Sequence, residues 1–264
     1  MNRPMFRLLY PCLWAALLVL AGGCAAIPDD PTKDWSAERF YQEAKQALAS
    51  GDYETAIKYY QGLEARYPYG RYAEQAILES AYAYYKNDEP ALAIATAERF
   101  IRLHPTHPHV DYAYYLKGLA NFRGERSLFD WLLGAGGDLS DRDPKAAREA
   151  YNAFRELVER FPASRYAADA RQRMAYLYEA QARHEVEVAR FYYEREAYVA
   201  AVNRAKYALE NYPRTPAIED ALGLLALSYR KMGLAELAED ARRVLALNFP
   251  QSRYLEALAS DRGQ

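Results

Sequence analysis

A chain of 264 residues is long enough for one or two domains with a real core, and its apolar content of 51% excludes disorder for most of it. The formal net charge is −2 and the sequence pI about 6.2; with no long basic stripe, the electrostatic footprint of a nucleic-acid partner is missing, and none is expected. Ala, Leu, Glu and Arg are plentiful and β-branched runs scarce, which favours helix over strand, while 25 tyrosines stand out.

Residues 1–23 read as a signal peptide. "MNRPMFR" carries Arg3 and Arg7, and "LLYPCLWAALLVL", residues 8–20, is an apolar run interrupted by Pro11. That run is short for a membrane span and fits a secretory signal. The small residues before Cys24 in "LAGGCAAIPDD" resemble the lipobox of bacterial lipoproteins, although Ala21 stands where Leu is usual. This resemblance implies cleavage before Cys24 and lipidation of Cys24, and Ala25 after it, rather than Asp, implies delivery to the outer membrane. Several acyl chains, at about 0.8 kcal/mol per buried CH₂, would hold the protein on a bilayer. The alternative is an ordinary cleaved signal with an unmodified cysteine. Cys12 falls inside the removed run, so the mature chain is expected to have no disulfide. Loss of Arg3 and Arg7 moves the formal charge from −2 to −4. Residues 24–35, with two prolines and three aspartates, read as a lipidated tether.

From residue 36 the chain repeats itself. "ARYPYGRYAEQA" (65–76), "ERFPASRYAADA" (159–170), "ENYPRTPAIEDA" (210–221) and "LNFPQSRYLEAL" (247–258) share one pattern. Five prolines anchor it: Pro68, Pro105, Pro162, Pro213 and Pro250. Twelve residues before each stands an alanine (Ala56, Ala93, Ala150, Ala201, Ala238), and one residue before each a ring (Tyr67, His104, Phe161, Tyr212, Phe249). Eight residues after the first four lie Ala76, Ala113, Ala170 and Ala221. Small residues at a fixed place let two helix axes approach, and proline ends a helix because it cannot donate and pushes the preceding residue out of the α region. Ser164, Thr215 and Ser252 are expected as N-caps, with Pro216 at the first helical position. The turn at "GDYETAIKYY" (51–60) and the shortest spacing, 37 residues, resemble the tetratricopeptide repeat.

The expected fold is therefore all-α: a superhelical solenoid of about five tetratricopeptide-like helix pairs, near 36–67, 72–104, 110–161, 166–212 and 217–249, with a short C-terminal capping helix near 253–260. The proline intervals are 37, 57, 51 and 37, so two repeats are enlarged. The third holds a long inserted loop, residues 123–144, ending with Asp143 as N-cap and Pro144 behind it. In the fourth, the excess of 14 residues over the shortest interval lengthens the first helix by roughly 21 Å. The division expected is N-terminal repeats at 36–122, with a concave groove, and C-terminal repeats at 145–264.

Few residues of the chain suggest chemistry. "HPTHPH" (104–109) holds three histidines but reads as an inter-repeat turn, with no cysteine or paired carboxylate to complete a metal site. "GAGGD" (134–138) lacks the Lys-Ser/Thr of a phosphate loop, and Asp138, Asp141 and Asp143 miss calcium-loop spacing. No nucleophile motif or zinc-protease motif is present. The chain is expected to be no enzyme, with no metal and no cofactor. Tyrosines at helical spacing serve packing more often than ligands, and half or more are expected inside with hydroxyls at the rim. Leu128, Phe129, Trp131, Leu132 and Leu133 in the inserted loop form either a partner patch or a segment folded into the protein's own groove.

The strings "RYPYGRYAEQA", "YAYYKN" (82–87), "RFIRLHPTHPHVDYAYYLKG" (99–118), "SDRDP" (140–144) and "EVARFYYEREAYVAAVNRAK" (187–206) cover nearly the whole mature chain and resemble the BamD family of the outer-membrane β-barrel assembly machinery. The resemblance implies a non-enzymatic adaptor, lipid-anchored on the periplasmic face of the outer membrane. Its implied partners are the barrel subunit of that machinery, with its accessory lipoproteins, and unfolded outer-membrane proteins. It implies that C-terminal repeats dock the barrel subunit's periplasmic domains and that N-terminal repeats receive the C-terminal targeting strand of unfolded barrels. Tyr67, Tyr72, Tyr82 and Tyr85 are the expected groove. Tyr192, Arg195, Tyr198, Asn203 and Arg204, in "YYEREAYVAAVNR" (192–204), are the expected docking residues, and Arg195 and Arg204 match arginines of the family's motif. The alternative for these arginines is an intramolecular pair with Glu194, Glu196 or Glu210. Glu196 departs from the family's usual Gly, which puts the turn there in doubt. Two other functions stay open: a different periplasmic lipoprotein adaptor, such as a scaffold for peptidoglycan enzymes, and an enzyme with an unrecognised site.

Replacing Cys24 by serine is expected to leave a folded protein that no longer partitions with membranes. Cell fractionation decides this, and wild-type-like membrane association of Cys24→Ser overturns lipidation as the anchor.

Overall fold

The computed structural model describes residues 30–123 and 144–260. Cys24, the apolar cluster Leu128–Leu133 and the three loop aspartates lie outside the described residues. Among those described, eleven helices are present and no strand: α1 Ala37–Ser50, α2 Tyr53–Arg66, α3 Arg71–Lys86, α4 Pro90–Leu103, α5 Val110–Arg123, α6 Pro144–Arg160, α7 Ala167–Glu194, α8 Tyr198–Asn211, α9 Ile218–Lys231, α10 Ala235–Asn248 and α11 Arg253–Ser260. Five antiparallel pairs follow one another, with α11 packed on α9 and α10 as the cap. The pairs match the spans expected from the prolines, and α7 is the over-long helix, at 28 residues.

Alanine sets the packing. Ala56, Ala76, Ala113, Ala150, Ala170, Ala201 and Ala221 have no exposed surface, and Ala93 and Ala238 are buried as well. Around them sit large buried side chains: Phe40, Tyr60 and Leu63 in the first pairs, Phe100, Phe154 and Leu157 in the middle, and Leu224 and Leu245 at the C-terminal end. First helices also meet across pairs, α1 with α3, α3 with α5 and α7 with α9. They therefore form the inner wall of the stack, and the second helices form its outer wall.

The proline phrase builds a double turn. The ring residue is the C-cap of each second helix for which a cap is defined, with φ near −130°: Tyr67 (−130°), His104 (−131°), Tyr212 (−129°) and Phe249 (−136°). That extended φ is what a following proline enforces. The carbonyls of His104, Phe161, Tyr212 and Phe249 then accept from the amides of His107, Ser164, Thr215 and Ser252, at 2.9–3.3 Å. The carbonyls of those four residues accept in turn from Val110, Ala167, Ile218 and Leu255, at 3.0–3.2 Å. Proline occupies the second position of the first turn, where its fixed φ is favoured. This corrects two expected caps. Ser164 and Thr215 lie three residues ahead of the first helical residue, because the double turn occupies the intervening positions; Tyr166 and Ala217 are the N-caps. The Ser164 hydroxyl accepts from the Tyr166 amide at 3.2 Å, and that of Thr215 donates back to the Tyr212 carbonyl at 3.0 Å. Ser252 directly precedes α11, as expected for a cap.

Within pairs, the connecting turn needs one left-handed residue. Gly51 (φ +84°) and Gly233 (+74°) supply it in two pairs, and Asp88 (+64°) and Glu196 (+59°) in two others. The Glu196 amide donates to Tyr193 at 3.0 Å and that of Ala197 to Tyr192 at 2.9 Å, a closed C-terminal turn. The turn doubted at Glu196 thus keeps its shape with a side chain that disfavours it. Glu196→Gly is expected to stabilise the fold by about 0.5–1 kcal/mol, since it relieves left-handed strain at the cost of some unfolded-state entropy. Thermal unfolding of the two proteins checks this, and a lower melting temperature for the glycine variant contradicts it.

Candidate functional site

A cleft of about 400 Å³ opens on the inner wall. Its apolar lining comes from Leu48 of α1, Leu78 and Tyr82 of α3, Tyr112 of α5 and Tyr166 at the entry to α7. Four first helices contribute, so the cleft runs obliquely across four repeats. Tyr112 and Tyr166 lie 5.2 Å apart, and Tyr115 stacks on Tyr166 at 4.7 Å with an interplanar angle of 18°. The Tyr115 hydroxyl donates to Asp169 at 2.7 Å; burial, then that bond, pushes it up to about 12. Burial, then the neighbouring Tyr166, also raises Tyr112. Both rings therefore remain neutral phenols through the physiological range.

Charge enters at the floor and the rim. Glu79 accepts from the hydroxyls of Tyr41 (2.7 Å) and Tyr60, whose rings are buried in α1 and α2. Both phenols are raised, by burial first and then by the bond to Glu79, so they stay protonated and the carboxylate keeps its two donors. Lys45 and Arg165 are exposed at the rim beside His109. The Arg165 guanidinium lies 4.8 Å from the centroid of the Tyr166 ring and donates to its hydroxyl.

Of the four expected groove tyrosines, Tyr82 lines the cleft. Tyr72 packs against Tyr41 at 5.4 Å, the Tyr67 hydroxyl donates to the Trp35 carbonyl at 2.8 Å, and Tyr85 packs against the neighbouring buried cluster that includes Ile57, Tyr84 and Ala93. Lys45, Leu48, Tyr112, Arg165 and Tyr166 were absent from the sequence expectation. One signal in the chain marks part of the set: the dipeptide Arg-Tyr recurs three and four residues after Pro68, Pro162 and Pro250. A second hollow, of about 610 Å³, lies between Tyr151, Met174, Tyr178 and Arg214.

The expected docking stretch sits where α7 turns into α8. Tyr192 and Tyr198 are half-buried, with Tyr198 5.7 Å from Tyr193, and Asn203 is exposed. Arg195 lies 3.6 Å from the Phe191 ring centroid. Phe191 and Val199 are 44% and 60% exposed, Phe191 in the last turn of α7 and Val199 in the first turn of α8. Arg204 has an intramolecular partner, but it is none of the three glutamates expected: it donates to Glu185 at 2.9 Å. Glu185 is 7% exposed on the long helix α7, so this pair ties α7 to α8. The histidines of the second junction face Glu74, His104 at 3.9 Å and His107 at 3.8 Å, and both rings pack on Phe100. Among the described residues no group of His, Cys, Asp and Glu is placed to hold a metal ion, and no helix is long and apolar enough to cross a membrane.

Residues 33–245 match the YfiO family, described as "Outer membrane lipoprotein". Among curated proteins, "Outer membrane protein assembly factor BamD" of Neisseria meningitidis serogroup A is 52% identical over 224 residues, 85% of this chain and 83% of that protein. The protein of the same name from Vibrio cholerae is 39% identical over 231 residues, 88% of this chain and 95% of that one. Among solved structures, a crystal structure of MamA aligns with 82% of this chain and 96% of its own at 18% identity and a TM-score of 0.39.

Because Arg204 neutralises a buried carboxylate while Arg195 has no such duty, their alanine variants are expected to differ. Arg204→Ala should cost about 1–2 kcal/mol of stability by leaving Glu185 unpaired, and Arg195→Ala about 0.5 kcal/mol or less. Denaturant melts of both variants check this; equal stabilities overturn the structural role of Arg204.

Proposed function

The chain belongs to the YfiO family of outer membrane lipoproteins, and on that premise we propose that it is a non-enzymatic adaptor in outer-membrane protein assembly, held to the membrane through Cys24. Its concave cleft receives the C-terminal targeting strand of an unfolded barrel protein, and its α7–α8 turn docks the barrel subunit's periplasmic domains. The observation that carries this reading is the cleft itself. Leu48, Leu78, Tyr82, Tyr112 and Tyr166 come from four repeats and converge on one apolar trough. Rings of this kind offer an extended peptide contact area with little rotamer entropy to lose. A strand ending in an aromatic residue matches such a trough better than a folded surface does.

The docking reading has a separate support. Phe191 stands exposed under the Arg195 guanidinium at the C-terminal end of α7, and Val199 stands exposed in the first turn of α8. Phenylalanine and arginine are among the residue types enriched in protein interfaces. The role of Arg204 in this reading is indirect: its bond to Glu185 holds α8 against α7 and so fixes the angle at which the patch is presented.

A photo-crosslinking side chain placed at Tyr82 is expected to capture the tail of a barrel protein, whereas one at Tyr207, 41% exposed on α8, is expected to capture little. Equal capture at both positions, or of a scrambled tail at Tyr82, overturns the cleft as the strand site.

A further inference from the structure

Arg-Tyr opens α3 and α11 and directly precedes α7, and the three arginines meet different fates. In each, the guanidinium covers its neighbour's ring: Arg71 over Tyr72 at 4.8 Å, Arg165 over Tyr166 at 4.8 Å and Arg253 over Tyr254 at 5.1 Å. At the capping end an acid completes the arrangement. Asp220 accepts from Arg253 at 2.9 Å and from the Tyr254 hydroxyl at 2.7 Å. Asp220 stands seven residues after Pro213, and the residue seven after Pro105 is Tyr112. In the cleft, therefore, a ring occupies the place where the other copy has its carboxylate, and it packs on Tyr166 at 5.2 Å.

Arg165 is left without an ion-pair partner among the described residues. Asp111, whose charge reaches it, already accepts from the Ser164 hydroxyl at 2.6 Å and the Tyr112 amide at 2.8 Å. Glu79 is engaged by Tyr41 and Tyr60. An exposed guanidinium over an aromatic wall thus keeps donors to spare at the edge of an apolar trough.

We propose that Arg165 binds the free α-carboxylate at the end of the bound strand, while the aromatic side chain of that same last residue enters between Tyr82, Tyr112 and Tyr166. The captured carboxylate takes the role toward Arg165 that Asp220 has toward Arg253. A terminal residue is favoured over an internal acid because Arg165 touches the ring that walls the slot. One residue must then present a ring and a carboxylate within its own span, and only a C-terminal aromatic residue does so. Arginine suits the task, since its planar fork matches a carboxylate and it never loses its charge. This inference rests on the reading of the cleft as a strand site and adds the chain end as the feature selected.

The test uses the full lipidated protein in detergent and peptides of about ten residues with alternating apolar and polar positions, the register of a barrel strand. One ends in Phe with a free carboxylate, a second is its C-terminal amide, and a third is an amide with Asp beside the Phe. The free acid is expected to bind roughly tenfold more tightly than the plain amide, the worth of a charge-assisted contact at a partly exposed site. Arg165→Gln should bring the acid down to the level of the amide and leave the amide unchanged, with Arg165→Lys between them; melting curves confirm that the variants fold. Equal binding of acid and amide by the wild-type protein overturns the inference and leaves the strand site standing. So does Arg165→Gln weakening both alike, or the Asp amide matching the acid. Failure of every peptide to bind overturns the strand site and the inference together.

Discussion

Helix axes in this solenoid come close because the residue between them carries one methyl group or none. Ala150 and Ala201 in the second helices, and Ala113, Ala170 and Ala221 in the first, have no exposed surface at all. Glycine carries the approach further. A Cβ at Gly118 would lie 2.4 Å from the Phe154 ring, and one at Gly223 would lie 2.2 Å from Tyr254. Large rings thus pack against helix backbone, and each pair is held at a spacing that a longer side chain would widen. Repeated through five pairs, that spacing decides the curvature of the inner wall and with it the distance between residues that come from different repeats.

Tyrosine supplies the second recurring interaction. Its ring fills space between helices while its hydroxyl reaches a carboxylate: Tyr41 and Tyr60 on Glu79, Tyr115 on Asp169, Tyr254 on Asp220. At Glu79 two phenols are the donors, whereas at Asp169 and Asp220 the phenol joins an arginine, Arg173 at 2.6 Å and Arg253 at 2.9 Å; each charge-assisted hydrogen bond offsets part of the acid's lost hydration. The same residue type then serves as wall and floor of the cleft. The abundance of tyrosine is in this sense one solution used for both stability and recognition.

The framework was legible in the chain because it rests on one-dimensional properties. A missing amide at Pro68 or Pro213 and a short side chain at Ala56 or Ala201 act at their own positions, so spacing alone gave the pairs and their ends. Ser164 and Thr215 were misplaced as caps because a hydroxyl before a helix looks the same whether it caps the helix or opens a turn three residues earlier. The cleft was harder to read. Leu48 and Tyr166 are more than a hundred residues apart in sequence, and only the superhelical twist brings them to one trough. Glu185 was missed for a related reason. On a helix as charged as α7 it looks like another solvated acid, and its burial depends on where α8 returns.

A trough whose walls belong to four successive repeats has no width of its own. Its aperture is set by the pitch of the stack, as the gap in a coil spring is set by its winding. A small rotation at one junction moves Leu48 relative to Tyr166 by the sum of its effects over the intervening pairs. The longest described helix lies at one of these junctions: α7 spans 28 residues and is tied to α8 through Glu185 and Arg204. One continuous helix thus runs from the α7–α8 turn to Tyr166, a wall of the trough, so that a tilt of α7 at either end is a change of aperture as much as a change of pitch.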